Sequence, residues 1–171
     1  MSNNSDAIGR HTITVLVDNE PGVLARVIGL FSGRGYNIES LTVARVDRDH
    51  NLSRINIVTT GTAMIVNQIK AQLERLVPVH RVVDLTVDGP AVERELALLK
   101  VVGTGENRIE ALRIADIFRA NVVDSTAESF VFEVTGSPDK IRAMIELMTP
   151  IGLKEISRAG VVAIARGTEA M

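Results

Sequence analysis

Cysteine and tryptophan are both absent from this chain of 171 residues. Without cysteine there is no disulfide framework, thiolate nucleophile, iron–sulfur cluster or cysteine-based zinc site. A cysteine-free composition fits a reducing compartment, so the expected location is the cytoplasm. Aromatic residues are scarce, being Tyr36, Phe31, Phe118, Phe130 and Phe132 alone. Modules that stack the bases of single-stranded RNA or DNA use more of them, placed on a sheet surface. The net charge of −2 lacks the basic excess of a general nucleic-acid or membrane-surface binder. Long apolar runs are missing too, and none approaches the roughly 18 residues that span a bilayer. The polar start, Met1 to Asp6, does not have the basic-then-apolar order of a signal peptide. These absences predict neither a nucleic-acid nor a membrane partner.

A hydrophobic fraction of 46% supports a buried core, and its periodicity reads as one pattern used twice. His11 to Asp18 alternates Ile13, Val15 and Val17 against Thr12, Thr14 and Leu16, which predicts a strand. Between Gly22 and Gly35, Val23, Leu24, Val27, Ile28, Leu30 and Phe31 recur at helical spacing. Ile38 to Val46 and Ser53 to Thr60 read as a hairpin around the charged turn Asp47 to Asn51. Thr62 caps a helix with the stripe Val66, Ile69, Leu73 and Leu76. Pro78 ends it before a last strand, Val79 to Val87.

After Asp88-Gly89-Pro90 the order recurs. It comprises a strand Leu96 to Val102, a helix Glu106 to Ala120, a hairpin of Asn121 to Ser125 with Ser129 to Thr135, a helix from Ser137-Pro138 to Met148, and a strand Ile151 to Arg158. Gly160 to Ala165 adds an apolar segment. The expected class is α+β, with two ferredoxin-like βαββαβ domains. The expected division is a polar tail at 1–10, a first domain at 11–87, a linker at 88–95 and a second domain at 96–167. Each domain is near the size at which a core alone is marginal, so domain or subunit packing is expected as well.

A catalytic constellation is not found. His11, His50 and His80 have no partner at metal-ligand or triad spacing and read as surface or satisfied positions. Gly103-Thr104-Gly105-Glu106-Asn107-Arg108 lacks the Gly-Lys-Ser/Thr ending of a phosphate loop and reads as a strand-to-helix turn. Glu93-Arg94-Glu95 and Asp47-Arg48-Asp49 are mixed-sign runs of a solvated face. No catalytic, cofactor or metal residue is assigned.

The most informative stretch is Val15 to Leu24, where a strand enters the turn Asn19-Glu20-Pro21-Gly22 and a helix follows at once. Pro21 is expected at the first helical position, leaving the amides of Gly22, Val23 and Leu24 exposed at the positive end of the helix dipole. The turn is read two ways, as a capped strand-to-helix connection or as a site for a carboxylate. A second polar turn, Gly35-Tyr36-Asn37-Ile38, lies at the opposite end of that helix in a split βαβ unit. One subunit therefore closes no small pocket from both turns, whereas two copies about a two-fold axis do. Amides for a carboxylate, with Asn37 and carbonyls for an ammonium, describe a free amino acid whose stem rests on Val23, Leu24 and Ile38.

The run Asp18-Asn19-Glu20-Pro21-Gly22-Val23-Leu24-Ala25-Arg26-Val27, with Gly35-Tyr36-Asn37-Ile38-Glu39-Ser40-Leu41-Thr42-Val43, closely resembles the ACT domain of the regulatory small subunit of acetohydroxyacid synthase, also called acetolactate synthase. Ser53-Arg54, Leu76-Val77, Arg81-Val82, Val92 to Leu96 and Ser157 to Val162 extend the resemblance over about residues 10 to 167. The resemblance implies a non-catalytic subunit that dimerises through its ACT domains and activates a large catalytic subunit. It also implies feedback inhibition by valine or a related branched-chain amino acid. It implies that thiamine diphosphate, Mg2+ and FAD reside on the large subunit and none on this chain. Effector contacts carried over by motif are Asn19, Gly22, Val23 and Leu24 from one subunit with Asn37 and Ile38 from the other. The loop Gly103 to Arg108 has no Asn-x-Pro-Gly, so the second domain is assigned no effector site. The alternative reading is a stand-alone amino-acid-sensing ACT protein outside any synthase.

Overall fold

A computed structural model describes residues 7–171. Contacts divide the chain into two units. Among the described residues the first comprises 7–92 together with Val161–Met171, and the second comprises Glu93–Gly160. The expected second domain ran unbroken to residue 167, whereas the structure returns the end of the chain to the first unit.

In the first unit the order is β1 (Gly9–Asp18), α1 (Val23–Gly33), β2 (Ser40–Asp47), β3 (Leu52–Gly61), α2 (Ala63–Glu74) and β4 (Val79–Asp84). The strands lie in the order β2-β3-β1-β4, all antiparallel, which is the βαββαβ arrangement read from the periodicity. Ile13, Val15 and Val17 pair with Ile57, Ile55 and Ser53 on the face that the helices cover. Against them pack Val23, Val27 and Phe31 of α1, spaced by four, and Val66, Ile69 and Leu73 of α2. A side chain of this kind contributes about 1.5–3 kcal/mol when fully buried, so the six helix residues anchor both helices to one face.

The opposite face of this sheet is polar and still buried. Thr14 Oγ1 donates to Asn56 Oδ1 (3.0 Å), Asn56 Nδ2 donates to Thr42 Oγ1 (3.1 Å), and Thr42 Oγ1 donates to the Val161 carbonyl (3.0 Å). The Val161 amide in turn donates to Ser40 Oγ (2.8 Å). A hydrogen-bonded chain thus crosses β1, β3 and β2 and ends on the backbone that leads into β9 (Val162–Ala165). Arg166 N–H donates to the Pro90 carbonyl (2.9 Å), tying the end of that strand to the close of the unit. The apolar Gly160 to Ala165 segment is therefore a cover for a polar sheet face.

The second unit contains most of β5 (Ala91–Val102), then α3 (Gly105–Ile117), β6 (Asn121–Ser125), β7 (Ser129–Gly136), α4 (Pro138–Met148), a 3-10 turn (Thr149–Ile151) and β8 (Leu153–Arg158). Its strands run β6-β7-β5-β8. Leu99, Val101, Phe130 and Phe132 face Ile114, Ile141, Met144 and Met148. Phe130 and Phe132 sit two apart on one strand, with ring centroids 5.3 Å apart, and Arg108 caps the Phe130 ring at 3.9 Å. Ser137 Oγ accepts from Lys140 N–H (3.2 Å), and Pro138 opens α4 as the cap-then-proline order predicts.

Several boundaries move. β1 starts at Gly9, inside the expected tail, and β5 at Ala91, inside the expected linker. β4 stops at Asp84 because Leu85 to Asp88 turn, with Val87 and Asp88 amides on the Asp84 carbonyl. β2 starts at Ser40, leaving Ile38 in the approach. Among the described residues no helix is long and apolar enough to cross a membrane.

Candidate functional site

The first turn is tied to the far end of the β2–β3 hairpin. Asn19 N–H donates to the Asn51 carbonyl (2.7 Å), and Asn51 Nδ2 donates back to the Asn19 carbonyl (3.1 Å). Ser53 Oγ donates to Asn19 Oδ1 (3.0 Å), which fixes the carboxamide. Asn51 has φ 54, the left-handed conformation that asparagine tolerates better than most residues. Below the turn, His80 Nε2 meets Asp18 Oδ1 at 2.6 Å, joining the ends of β1 and β4. Neither Asn51 nor Ser53 was singled out for this role, because each lies more than 30 residues from Asn19.

Pro21 does not take the first helical position. Gly22 does not join the helix but caps it, at φ 86 and ψ −7, and no side chain caps α1. A right-handed helix cannot include a left-handed residue, so it begins at Val23. Of the expected free amides, that of Val23 points to the Glu20 carbonyl (3.4 Å), while the Arg26 amide takes the Gly22 carbonyl (3.1 Å). A Cβ built on Gly22 meets nothing within 4 Å, so the space above this turn is open.

The side chains divide by direction. Val23 is 4% exposed and belongs to the core, so a ligand has access only to its backbone. Leu24 and Ile38 are half-buried at the margin of that core and keep an outward surface. Asn37 is exposed, and its carbonyl accepts from the buried Thr59 Oγ1 at 2.5 Å. The Tyr36 amide closes the end of α1 on the Phe31 carbonyl (3.0 Å), and the two rings meet edge to face at 6.1 Å.

Strand register locates the two turns relative to one another. Leu52, beside Asn51, pairs with Asp18, whereas Thr59, beneath Asn37, pairs with His11. Seven residues of extended strand separate these points, about 24 Å at the usual rise. Asn19, Gly22 and Leu24 therefore lie at one end of the sheet, and Asn37 and Ile38 at the other. β2, which follows Asn37 and Ile38, is an edge strand paired, among the described residues, to β3 alone. Its Val43 is 46% exposed on the helix-covered face.

All three histidines face aspartates. Besides His80, His11 Nδ1 meets the buried Asp84 (2.8 Å), and His50 Nδ1 meets Asp47 (2.8 Å). Asp47 also accepts the amides of Asp49 and His50 (2.9 and 3.0 Å), folding the turn that carries Asn51. The His50 amide, reinforced by its ring, holds the Asp47 carboxyl below its usual value.

Comparison with known proteins is consistent across the chain. Residues 13–81 match the family described as the AHAS small subunit-like ACT domain, and residues 94–167 match the small subunit of acetolactate synthase. The chain is 49% identical over 160 residues to a probable acetolactate synthase small subunit of Archaeoglobus fulgidus, covering 94% of this chain and 99% of that one. It is 48% identical over 160 residues to the acetolactate synthase small subunit of Aquifex aeolicus, covering 93% and 82%. The crystal structure of the acetolactate synthase small subunit from Thermotoga maritima superposes with a TM-score of 0.83 at 36% identity, covering 94% of this chain and 99% of that one. With its ACT domain, its second domain and the βαββαβ order in each, this chain belongs to the family of acetolactate synthase small subunits.

Proposed function

We propose that this protein is the non-catalytic regulatory subunit of an acetolactate synthase, and that valine or another branched-chain amino acid acts through it from the interface of two ACT domains. The observation that carries this reading is the separation of the two turns along β3, combined with the edge position of β2. Antiparallel pairing of two β2 edges about a two-fold axis sets the start of one β2 beside the end of the other. Asn37 and Ile38 of one copy then share an end of the joined sheet with the partner's Asn19-Gly22 turn. The exposed Val43 is covered by the same pairing.

In that arrangement the first-turn amides of α1 and the open space over Gly22 receive the carboxylate. The Asn37 carboxamide and neighbouring carbonyls receive the ammonium, and Leu24 and Ile38 flank the aliphatic stem. Nothing in the site is a nucleophile or a general base, so its output is conformational. The amino acid shifts the dimer between two arrangements by its difference in affinity for them, typically about 1–3 kcal/mol. Catalysis, with thiamine diphosphate, Mg2+ and FAD, is assigned to the large subunit.

Reconstitution with the large subunit tests this. The small subunit alone is expected to form no acetolactate, and mixing is expected to raise the activity of the large subunit and make it sensitive to valine. Asn37→Ala is expected to keep the activation and to need roughly fivefold to a hundredfold more valine, as about 1–3 kcal/mol implies. Valine sensitivity unchanged in that variant would remove the site, and a large subunit indifferent to mixing would remove the function.

A further inference from the structure

Arg54 and Arg81 take no part in the turns described above, yet the fold sets them side by side. Leu16 pairs with Arg54 across β1–β3 and with Arg81 across β1–β4, so the three form one row on the face away from the helices. Two strand spacings put the arginine Cα atoms about 10 Å apart. A cavity of about 650 Å³ lies over this row, closed on its far side by Ile164 to Met171. Leu16, Val83, Leu85 and Ile164 give it an apolar wall. It lies wholly within the first unit.

The cavity sets the half-buried Arg54 and the exposed Arg81 against two acids, Asp88 and Glu169. Arg54 Nε is inaccessible to solvent and has no hydrogen-bond partner among the described residues. Burial pushes the Arg54 guanidinium below its ordinary value. Arginine nevertheless stays charged in proteins, so the Arg54 Nε–H remains a buried donor that lacks an acceptor. Arg81 Nη1 donates to the Ala170 carbonyl (3.0 Å), a neutral group on the closing segment. Of the acids in the lining, Asp88 is engaged by Lys70 (3.2 Å) and by the Asp84 amide (3.0 Å), and Glu169 sits on the closing segment itself.

We infer that this cavity is a second ligand site, distinct from the ACT–ACT interface, which takes a small organic anion with an aliphatic body. Its carboxylate or phosphate lies between Arg54 and Arg81, and its body lies against Leu16, Val83 and Ile164. Planar guanidinium forks match either head group through paired N–H donors. The closing segment is the part of the site that moves, since the Arg81 bond to Ala170 is what an entering anion replaces.

Titration of the full chain with isovalerate and, separately, isobutyl phosphate tests the site by amide NMR. Neither probe carries the ammonium that the Asn37 site requires, so the result is independent of the regulatory reading. Saturable binding is expected for at least one probe, with shifts at Arg54, Arg81 and Ile164 to Ala170. The tighter probe identifies the head group. Arg54→Gln and Arg81→Gln are each expected to weaken it by about tenfold or more, the value of a lost charge-assisted hydrogen bond, while Asn37→Ala leaves it unchanged. Arg81 is exposed on an edge strand, so its variant keeps the test valid if Arg54→Gln does not fold. No saturable binding of either probe up to tens of millimolar, shifts confined elsewhere, or equal affinity in the Arg81 variant would overturn the site.

Discussion

Ser53 Oγ donates to Asn19 Oδ1 across 3.0 Å, so the turn that opens α1 is held by the sheet beneath it. The same Asn19 exchanges backbone and side-chain bonds with Asn51. Its carboxamide oxygen, its N–H and its carbonyl are thus all spent on orientation, and its part in the site is to hold the turn in place. Ser53→Ala removes one neutral hydrogen bond at a buried position, worth about 1 kcal/mol. The expected outcome in the reconstituted synthase is valine inhibition weakened by about fivefold with activation by the small subunit intact, read from a valine titration.

Glycine at position 22 is required by backbone geometry and not by crowding. Its φ is 86, and a Cβ there meets nothing within 4 Å. Gly22→Ala is therefore expected to destabilise the first unit by about 1–2 kcal/mol, the penalty for a left-handed L-residue. Gly29→Ala makes the internal control, since Gly29 lies within α1, also in open space. There the gain in helix propensity is about 0.5–1 kcal/mol. Thermal unfolding of the two variants is expected to shift Tm in opposite directions.

The polar chain from Thr14 through Asn56 and Thr42 to Val161 holds the last strand on the sheet. Asn56→Ala leaves the buried Thr14 hydroxyl without its acceptor and the Thr42 hydroxyl without the donor that orients it, at a cost of about 1–3 kcal/mol. Amide hydrogen exchange is expected to accelerate at Val161 to Ala165 more than in α1 or α2, because Thr42, which holds the Val161 carbonyl, loses the Asn56 donor that orients it.

Asp47 links acidity to the same loop. Its carboxyl is held below the ordinary value first by the His50 amide and then by the His50 side chain. A depressed carboxyl contributes stability that is present above its unfolded value and is lost as pH falls through its folded value. The turn carrying Asn51 is accordingly expected to loosen only on acidification below the usual carboxylate range. Carboxyl NMR should show the Asp47 midpoint below that range. His50→Ala should raise it only part of the way, since the backbone amide remains.

Much of this architecture is legible in short stretches of chain. The alternation of Ile13, Val15 and Val17 identifies the strand and its buried face, and the spacing of Val66, Ile69 and Leu73 identifies a helix. Thr62 and Ser137 mark helix starts because a hydroxyl is placed to accept the amide three residues on. Pro21 misleads by the same local logic. Proline suits a first helical position, but the left-handed Gly22 that follows it delays the helix to Val23. Val23 reads as a ligand contact for a related reason, since helical periodicity shows that a face is apolar without showing how deeply each residue is buried.

The sequence by itself determined the two βαββαβ units, the membership of the small-subunit family and the two polar turns at Asn19-Gly22 and Asn37-Ile38. These rest on periodicity, capping and motif, which are properties of neighbours along the chain. Only the tertiary structure decided that Asn19 is fastened by Asn51 and Ser53, that Val161 to Met171 returns to the first unit, and that Arg54 and Arg81 flank Leu16 over a cavity. Each of these depends on strand order and register. Such pairings join residues tens of positions apart, and no local pattern encodes them because their energy comes from the packed sheet as a whole.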